Sequence, residues 1–108
     1  MSETHKTHVI SKSMFDSFVA SHPGMSPVKK ALRAWAKIVE KSQWSNFTDV
    51  RATFNTADHV GGLVVFDISG NKVRVIARVF YNSKPRRVYL LHVLTHKEYD
   101  DGEWKKRQ

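Results

Sequence analysis

Two arginines and two histidines stand in one segment of the chain in a pattern that suits chemistry on a phosphate group. Arg74 and Arg78 are four residues apart, and His92 and His96 are four residues apart as well. A guanidinium forks onto phosphate oxygens and stabilises charge that develops on them. An imidazole can accept or donate a proton near neutral pH. These residue types predict metal-free acid–base chemistry on a phosphodiester.

Four neighbouring side chains extend this candidate site. Lys72 and Lys97 would add positive charge to a substrate cleft, and Asn71 lies in the turn beside Lys72. Tyr99 would stack on a base or orient a phosphate, or else pack beneath a helix cap. We therefore predict Arg74, His96 and Tyr99 as the candidate residues for chemistry on the phosphate, with Lys97 beside them. Lys72, Arg78, His92 and Asn71 are predicted to contact a phosphate backbone.

Simpler roles are open for the same residues. Arg74 would also be explained by an exposed ion pair with Asp67, which is worth little energetically. A carboxylate can orient a guanidinium without occupying it, so that pair and a phosphate-binding role are compatible. A histidine on a sheet is often structural, and the spacing of His92 and His96 on a strand does not suit a shared metal ion. No metal or cofactor is predicted.

Two strands must position these side chains. Residues 72–81 alternate between a polar face and an apolar face, as strands do. Residues 88–96 alternate in the same way, with Tyr89, Leu91 and Val93 on the apolar face, and residues 82–87 are turn formers. We expect a hairpin whose register sets Arg74 opposite His96 and Arg78 opposite His92. All four would then lie on one open face of the sheet.

A second hairpin is expected just upstream. Gly70 and Asn71 suit the centre of a type II′ turn, with Gly in the first position. That turn would pair Asp67 with Arg74 and, further along the two strands, Phe66 with Val75 and Val64 with Ala77. Residues 63–68 would be the partner strand.

Helical patterns fill the first half of the chain. Apolar spacing predicts three helices: one around Phe15, one that begins at Ser26, and one around Val50. The predicted N-caps are Ser11 or Ser13 for the first helix, Ser26 for the second, and Asn46 or Ser45 for the third. Residues 8–10 would form an edge strand and 55–62 a loop. Thr95 and Glu98 match a capping box that opens a last helical turn. The order predicts an α+β two-layer sandwich.

Length and charge set the broad class. The 108 residues predict a single domain, with flexible ends at 1–7 and 103–108. The net charge of +8 points to a polyanion, and nucleic acid is a better candidate than a membrane surface. A basic row on the second helix (Lys29, Arg33, Lys37 and Lys41) is either a solvated face or a second RNA contact. With no cysteine and no long apolar run, we expect a cytoplasmic protein.

Two blocks of sequence resemble a known family. Residues 70–77 read G-N-K-V-R-V-I-A, and residues 95–100 read T-H-K-E-Y-D. At this spacing they resemble the HigB family of bacterial toxins, and the similarity extends over roughly residues 9–101.

The resemblance implies the RelE-like fold, in which N-terminal helices pack on a small antiparallel sheet. It also implies cleavage of mRNA on the translating ribosome, by attack of a 2′-hydroxyl on the adjacent phosphate. Arg74 would stabilise the phosphorane, while His96, Lys97 and Tyr99 would transfer protons or orient the substrate, with the base undecided. The implied partner is a HigA-type helix-turn-helix antitoxin, through which alone the toxin would meet operator DNA.

Two other functions remain open at this point. Relatives with the same fold include inhibitors of DNA gyrase. One alternative is therefore that the chain is a non-catalytic inhibitor of gyrase or another target. A plain RNA-binding module is the other alternative, because fold alone does not determine function.

Overall fold

The computed structural model describes residues 7–70 and 72–107. The elements are, in chain order, β1 (Thr7–Ile10), α1 (Ser13–Ser21), α2 (Ser26–Glu40), α3 (Phe47–Thr53), β2 (Asp58–Val60), β3 (Leu63–Ile68), β4 (Val73–Phe80), β5 (Arg86–Thr95), α4 (His96–Asp101) and a 3-10 helix (Glu103–Arg107). The five strands form one sheet in the order β1-β5-β4-β3-β2. None of the helices in these two ranges is long and apolar enough to cross a membrane.

The sheet is antiparallel from β2 to β5, and β1 joins its other edge parallel to β5. The predicted α+β arrangement of helices packed on a sheet is confirmed, and the sheet is mixed because of β1. The expected loop at 55–62 contains β2, which pairs Asp58 with Val65. Because Asp58 and His59 are exposed, this short strand has no apolar alternation by which it could be predicted.

The N-terminal helices cover one face of the sheet. Trp35 of α2 meets Phe66 of β3 with ring centroids 5.0 Å apart, and Trp44 stacks on the same phenylalanine at 6.2 Å. The predicted cap of α3 is confirmed, since the side chain of Asn46 accepts a hydrogen bond from the N–H of Asp49. Two other predicted caps are wrong. Helix α1 has Lys12 and α2 has Met25 at the N-cap, and neither makes a side-chain cap bond.

The hairpin of β3 and β4 has the predicted register. Asp67 pairs with Arg74, Phe66 with Val75 and Val64 with Ala77. The turn is closed by a 3.3 Å hydrogen bond from the N–H of Lys72 to the carbonyl of Ser69. Asn71, predicted as its second central residue, lies outside the described residues.

The predicted register of β4 and β5 is wrong. Arg74 lies opposite Leu94, not His96, and Arg78 lies opposite Tyr89, not His92. The physical reason is a β-bulge: Ile76 pairs with His92 while Ala77 pairs with Leu90, so β5 carries one extra residue. Beyond the bulge the faces are exchanged, so that Leu90 is buried under the helices and Tyr89 is exposed.

The second face of the sheet is partly covered, not open as expected. A small apolar cluster on it joins Leu63, Val65 and Ile76 to Trp104 of the 3-10 helix. Trp104 is only 3% exposed, so the segment that was expected to be flexible packs onto the sheet. The packed Trp104 gives neighbouring side chains on this face a fixed surface to contact.

Candidate active site

Arg74 lies at the centre of the candidate site. Its side chain is 10% exposed, so it is not the open surface residue that the sequence predicts. Its Nε lies 3.1 Å from Oδ1 of Asp67, the residue opposite it on β3. Its Nη2 donates a 3.1 Å hydrogen bond to Nδ1 of His96, and the guanidinium carbon lies 5.4 Å from the centre of the Tyr99 ring. The predicted Arg74, His96 and Tyr99 are therefore brought together.

His96 is the first residue of α4, and its ring lies between Arg74 and Asp100. Its backbone N–H donates to the carbonyl of Lys72, which ties α4 to the turn before β4. Since a guanidinium only donates, Nδ1 of His96 must accept, and the proton of the neutral ring lies on Nε2. That Nε2 is 3.1 Å from Oδ2 of Asp100. The tautomer follows from these two contacts.

Tyr99 is held between Arg74 and Trp104. Its ring stacks on Trp104 at 5.4 Å and 15°, and the indole N–H donates a 3.1 Å hydrogen bond to the Tyr99 carbonyl. Burial raises the pKa of the phenol above its ordinary value, the charge of Asp58 raises it further, and Arg74 opposes both. Tyr99 is consequently a neutral phenol near pH 7 and can donate a hydrogen bond or a proton.

A capping box determines where α4 begins, as predicted from Thr95 and Glu98. The N–H of Glu98 donates to the Thr95 hydroxyl, and the N–H of Thr95 donates to Oε1 of Glu98. The other carboxylate oxygen of Glu98 lies 3.0 Å from Nε2 of His22 at the end of α1. His22 also stacks on Phe18, with ring centroids 4.2 Å apart. The N-terminal layer thus helps to hold the helix that carries His96 and Tyr99.

The His22–Glu98 pair makes stability depend on pH. The hydrogen bond to Glu98 raises the pKa of His22 above its ordinary 6.5. Burial opposes ionisation of Glu98, but its hydrogen bonds from Thr95 and His22 outweigh burial and lower its pKa. The His22 contribution is therefore complete below about pH 6.5 and is lost as pH rises through the raised pKa. Because the pair is part-exposed, we expect it to contribute less than about 1 kcal/mol to the free energy of unfolding.

Urea unfolding of the wild type and of His22→Gln at pH 5.5 and pH 8.5 measures this effect. The difference in unfolding free energy between the two proteins should be larger at pH 5.5. Both proteins carry the same other five histidines, so the comparison isolates the effect of His22. Equal differences at both pH values would show that the pair does not supply the pH dependence.

The remaining predicted residues lie at different distances from Arg74. Lys72 is next to the site through its backbone, and its side chain is exposed. Lys97 is exposed on α4 and makes no ion pair within residues 7–70 and 72–107. Arg78 is exposed further along β4, while the ring of His92 lies 6.1 Å from Trp104. Neither Arg78 nor His92 pairs as expected.

Three residues of the site were not predicted to be part of it. Asp100 follows His96 by four residues on α4, a spacing that places both on one helix face, so the capping box was a usable signal for the pair. Trp104 stands in a polar, basic segment that resembles a tail. Asp58 influences Tyr99 from β2, and no local pattern indicates it. Within the described part of the chain, no three metal-ligating side chains form a cluster.

Comparison with known proteins identifies the family of the chain. The family model for HigB toxins, described as the RelE-like toxic component of a toxin-antitoxin system, matches residues 28–102. The chain is 35% identical over 75 residues to the mRNA interferase toxin HigB of Escherichia coli K12, which covers 67% of this chain and 70% of that protein. It is 28% identical over 96 residues to the mRNA interferase HigB of Escherichia coli O6:H1, covering 86% and 88%. The matched residues 28–102 include β3, β4, α4 and hence Arg74, His96 and Tyr99, and the chain belongs to the HigB toxin family of RelE-like toxic components of toxin–antitoxin systems.

Proposed function

We propose that the chain is an endoribonuclease that cleaves mRNA without a metal ion, on the translating ribosome, by attack of a 2′-hydroxyl on the adjacent phosphate. The observation that carries the proposal is the network around Arg74, which joins a guanidinium, an imidazole and a phenol at one place. The relatives named as mRNA interferases support the substrate class.

Arg74 would bind the scissile phosphate. Its ion pair with Asp67 and its contact with the Tyr99 ring hold the guanidinium in one orientation before substrate arrives. A charge that is already oriented and shielded from water stabilises the developing phosphorane more than a mobile surface charge does. Asp67 is therefore a positioning residue for Arg74.

His96 would accept the proton of the 2′-hydroxyl. In the free protein its Nδ1 lone pair receives the hydrogen bond from Arg74. A phosphate that takes over that N–H of Arg74 releases Nδ1, which then becomes available to the attacking hydroxyl. The proton moves to Nδ1, the 2′-oxygen bonds to phosphorus, and the bond to the 5′-oxygen breaks. Substrate binding and unmasking of the base are thus one event.

Tyr99 and Lys97 would assist the departure of the 5′-oxygen. The neutral phenol can donate a hydrogen bond to a phosphate oxygen, and the exposed ammonium of Lys97 can supply the proton that the 5′-oxygen requires. Lys72 beside His96, together with Arg78 and Asn71, would contact the RNA backbone, and His92 would contact RNA beside Trp104. The products are a cyclic phosphate and a free 5′-hydroxyl.

The family assignment implies an antitoxin partner. We propose that this partner is of the HigA helix-turn-helix type and that operator DNA is reached only through it. We also propose that the chain acts as one domain in the cytoplasm.

Cleavage is tested by adding the purified protein to a reconstituted translation reaction and mapping mRNA 5′ ends. Discrete cuts that require ribosomes, and that disappear with His96→Ala, are expected. Naked mRNA is the control for ribosome dependence. Cuts that persist with His96→Ala would move the base role to another residue. Intact mRNA in every reaction would contradict the nuclease proposal and favour a non-catalytic inhibitor.

A further inference from the structure

Two exposed aromatic side chains lie on the same sheet face as Arg74. Phe80 on β4 is 40% exposed and Tyr89 on β5 is 39% exposed. Their ring centroids are 5.6 Å apart, with the rings nearly perpendicular. Neither ring belongs to the two apolar clusters of the fold. A pair of large rings left in solvent on a sheet indicates a binding surface more than a contribution to stability.

Each ring directly faces an arginine on the neighbouring strand. Tyr89 pairs with Arg78, and Phe80 pairs with Arg87. Directly opposed side chains share a face, so these four residues form a patch with rings and guanidinium groups at alternate corners, here named the aromatic–arginine patch. Neither arginine has a carboxylate partner among the described residues.

The β-bulge produces this patch. Before the bulge, Val75 and Val93 pair beneath the helices, whereas beyond it Val79 pairs with Val88 there. The extra residue turns Tyr89 out of the core, to which unbroken alternation would have assigned it, and places it opposite Arg78. Bulges commonly re-aim a side chain near a functional site.

We propose that the aromatic–arginine patch is a binding subsite for single-stranded RNA, with a base stacked on a ring and phosphates bound by the guanidinium groups. Every base has a flat face that stacks on an aromatic ring, and arginine binds the phosphates on either side. The alternation of rings and positive charges fits a strand that alternates bases and phosphates. An apolar protein partner fits less well, because it would have to bury both guanidinium groups without carboxylates.

The subsite deepens the proposed nuclease function and rests on it in one respect, namely that the bound strand is the one cut at Arg74. Phe80 is six residues beyond Arg74 on β4, roughly 20 Å along the strand. The patch would therefore hold nucleotides several positions away from the scissile phosphate. It binds the substrate and does not touch the reacting atoms.

The test measures binding of a labelled single-stranded RNA oligomer by fluorescence anisotropy. The oligomer carries 2′-O-methyl groups, so that no 2′-hydroxyl is available for cleavage. Tyr89→Leu and Phe80→Leu keep apolar bulk but remove the ring, and each should weaken binding by about 5- to 150-fold, the loss expected for one base–aromatic stack. Tyr89→Phe should bind like the wild type. Ile38→Ala is the matched control, since Ile38 is an exposed apolar residue on α2.

An abasic oligomer of the same length separates stacking from charge. The wild type should bind it about as weakly as the leucine variants bind the complete oligomer. Equal affinity for both oligomers, normal binding by the leucine variants, or no binding by the wild type would each overturn the inference. Unchanged RNA affinity with loss of the co-purified antitoxin would instead assign the patch to a protein interface. Since no cleavage is involved, this result is independent of whether the nuclease proposal succeeds.

Discussion

Replacing Arg74 with lysine should reduce the rate of mRNA cleavage by about 10²- to 10³-fold, the usual cost of losing one preorganised charge stabiliser. Lysine keeps the positive charge but lacks the fork that meets Asp67 and His96 at the same time. The lysine ammonium would be less well oriented toward the phosphate. Substrate binding would also no longer free Nδ1 of His96 by displacing the N–H of Arg74. Single-turnover cleavage in the reconstituted translation reaction measures the loss.

Arg51→Lys is the matched control, because Arg51 is exposed on α3 and takes no part in the site. It should cleave at the wild-type rate. Thermal unfolding of both variants must be recorded, since Arg74 is largely buried and Asp67 would lose its partner. A folded Arg74→Lys protein that cleaves within a few-fold of the wild type would remove Arg74 from the catalytic centre. Since lysine keeps the positive charge, a wild-type rate for both variants would indicate diffuse electrostatic binding instead.

Replacing Trp104 with alanine should lower the free energy of unfolding by about 3–5 kcal/mol, the range for removing a buried large aromatic side chain. Its indole closes the apolar cluster over Leu63, Val65 and Ile76, and it stacks on Tyr99. Loss of the stack should also reduce cleavage, because Tyr99 would no longer be held against Arg74. Urea unfolding and single-turnover cleavage measure the two effects.

Trp104→Phe separates the two contributions of the indole. Because phenylalanine keeps a ring in the apolar cluster, this variant should recover most of the stability that Trp104→Ala loses. It still lacks the hydrogen bond to the Tyr99 carbonyl. Ile38→Ala, at an exposed position, should change stability little. Unfolding free energies of Trp104→Ala within 1 kcal/mol of the wild type would show that the 3-10 helix contributes little to the fold.

The sequence predicts one hairpin and not the other for a physical reason. In β3 and β4 the polar Asp67 and Arg74 interrupt the apolar runs at matching places, and Gly70 fits the turn, so one register satisfies both strands. In β5, Leu90 and Leu91 are adjacent apolar residues, and either can face the helices. The choice between them depends on packing against the helices and Trp104, which no local pattern contains. The bulge was therefore not predictable.

The positions of the candidate site residues were predictable to the extent that they follow from local rules. The capping box at Thr95 predicts the start of α4, and the similarity of residues 70–77 and 95–100 to HigB toxins indicates Arg74, His96 and Tyr99. What the sequence does not indicate is the depth at which Arg74 lies. Its guanidinium contacts Asp67, His96 and the Tyr99 ring, so the arginine that was expected on an open surface is held in a network.

The parallel pairing of β1 with β5 has a consequence for the order in which the chain folds. Synthesis delivers the N-terminal helices first, whereas a domain generally folds as one unit. The first described strand has its sheet partner only after Arg86 to Thr95 have been made. Helix α4 and Trp104 emerge later still, and such distant pairings close slowly. A growing chain therefore carries Arg74 for some time without His96, Tyr99 and Trp104. The candidate site is consequently the last part of the protein to be completed.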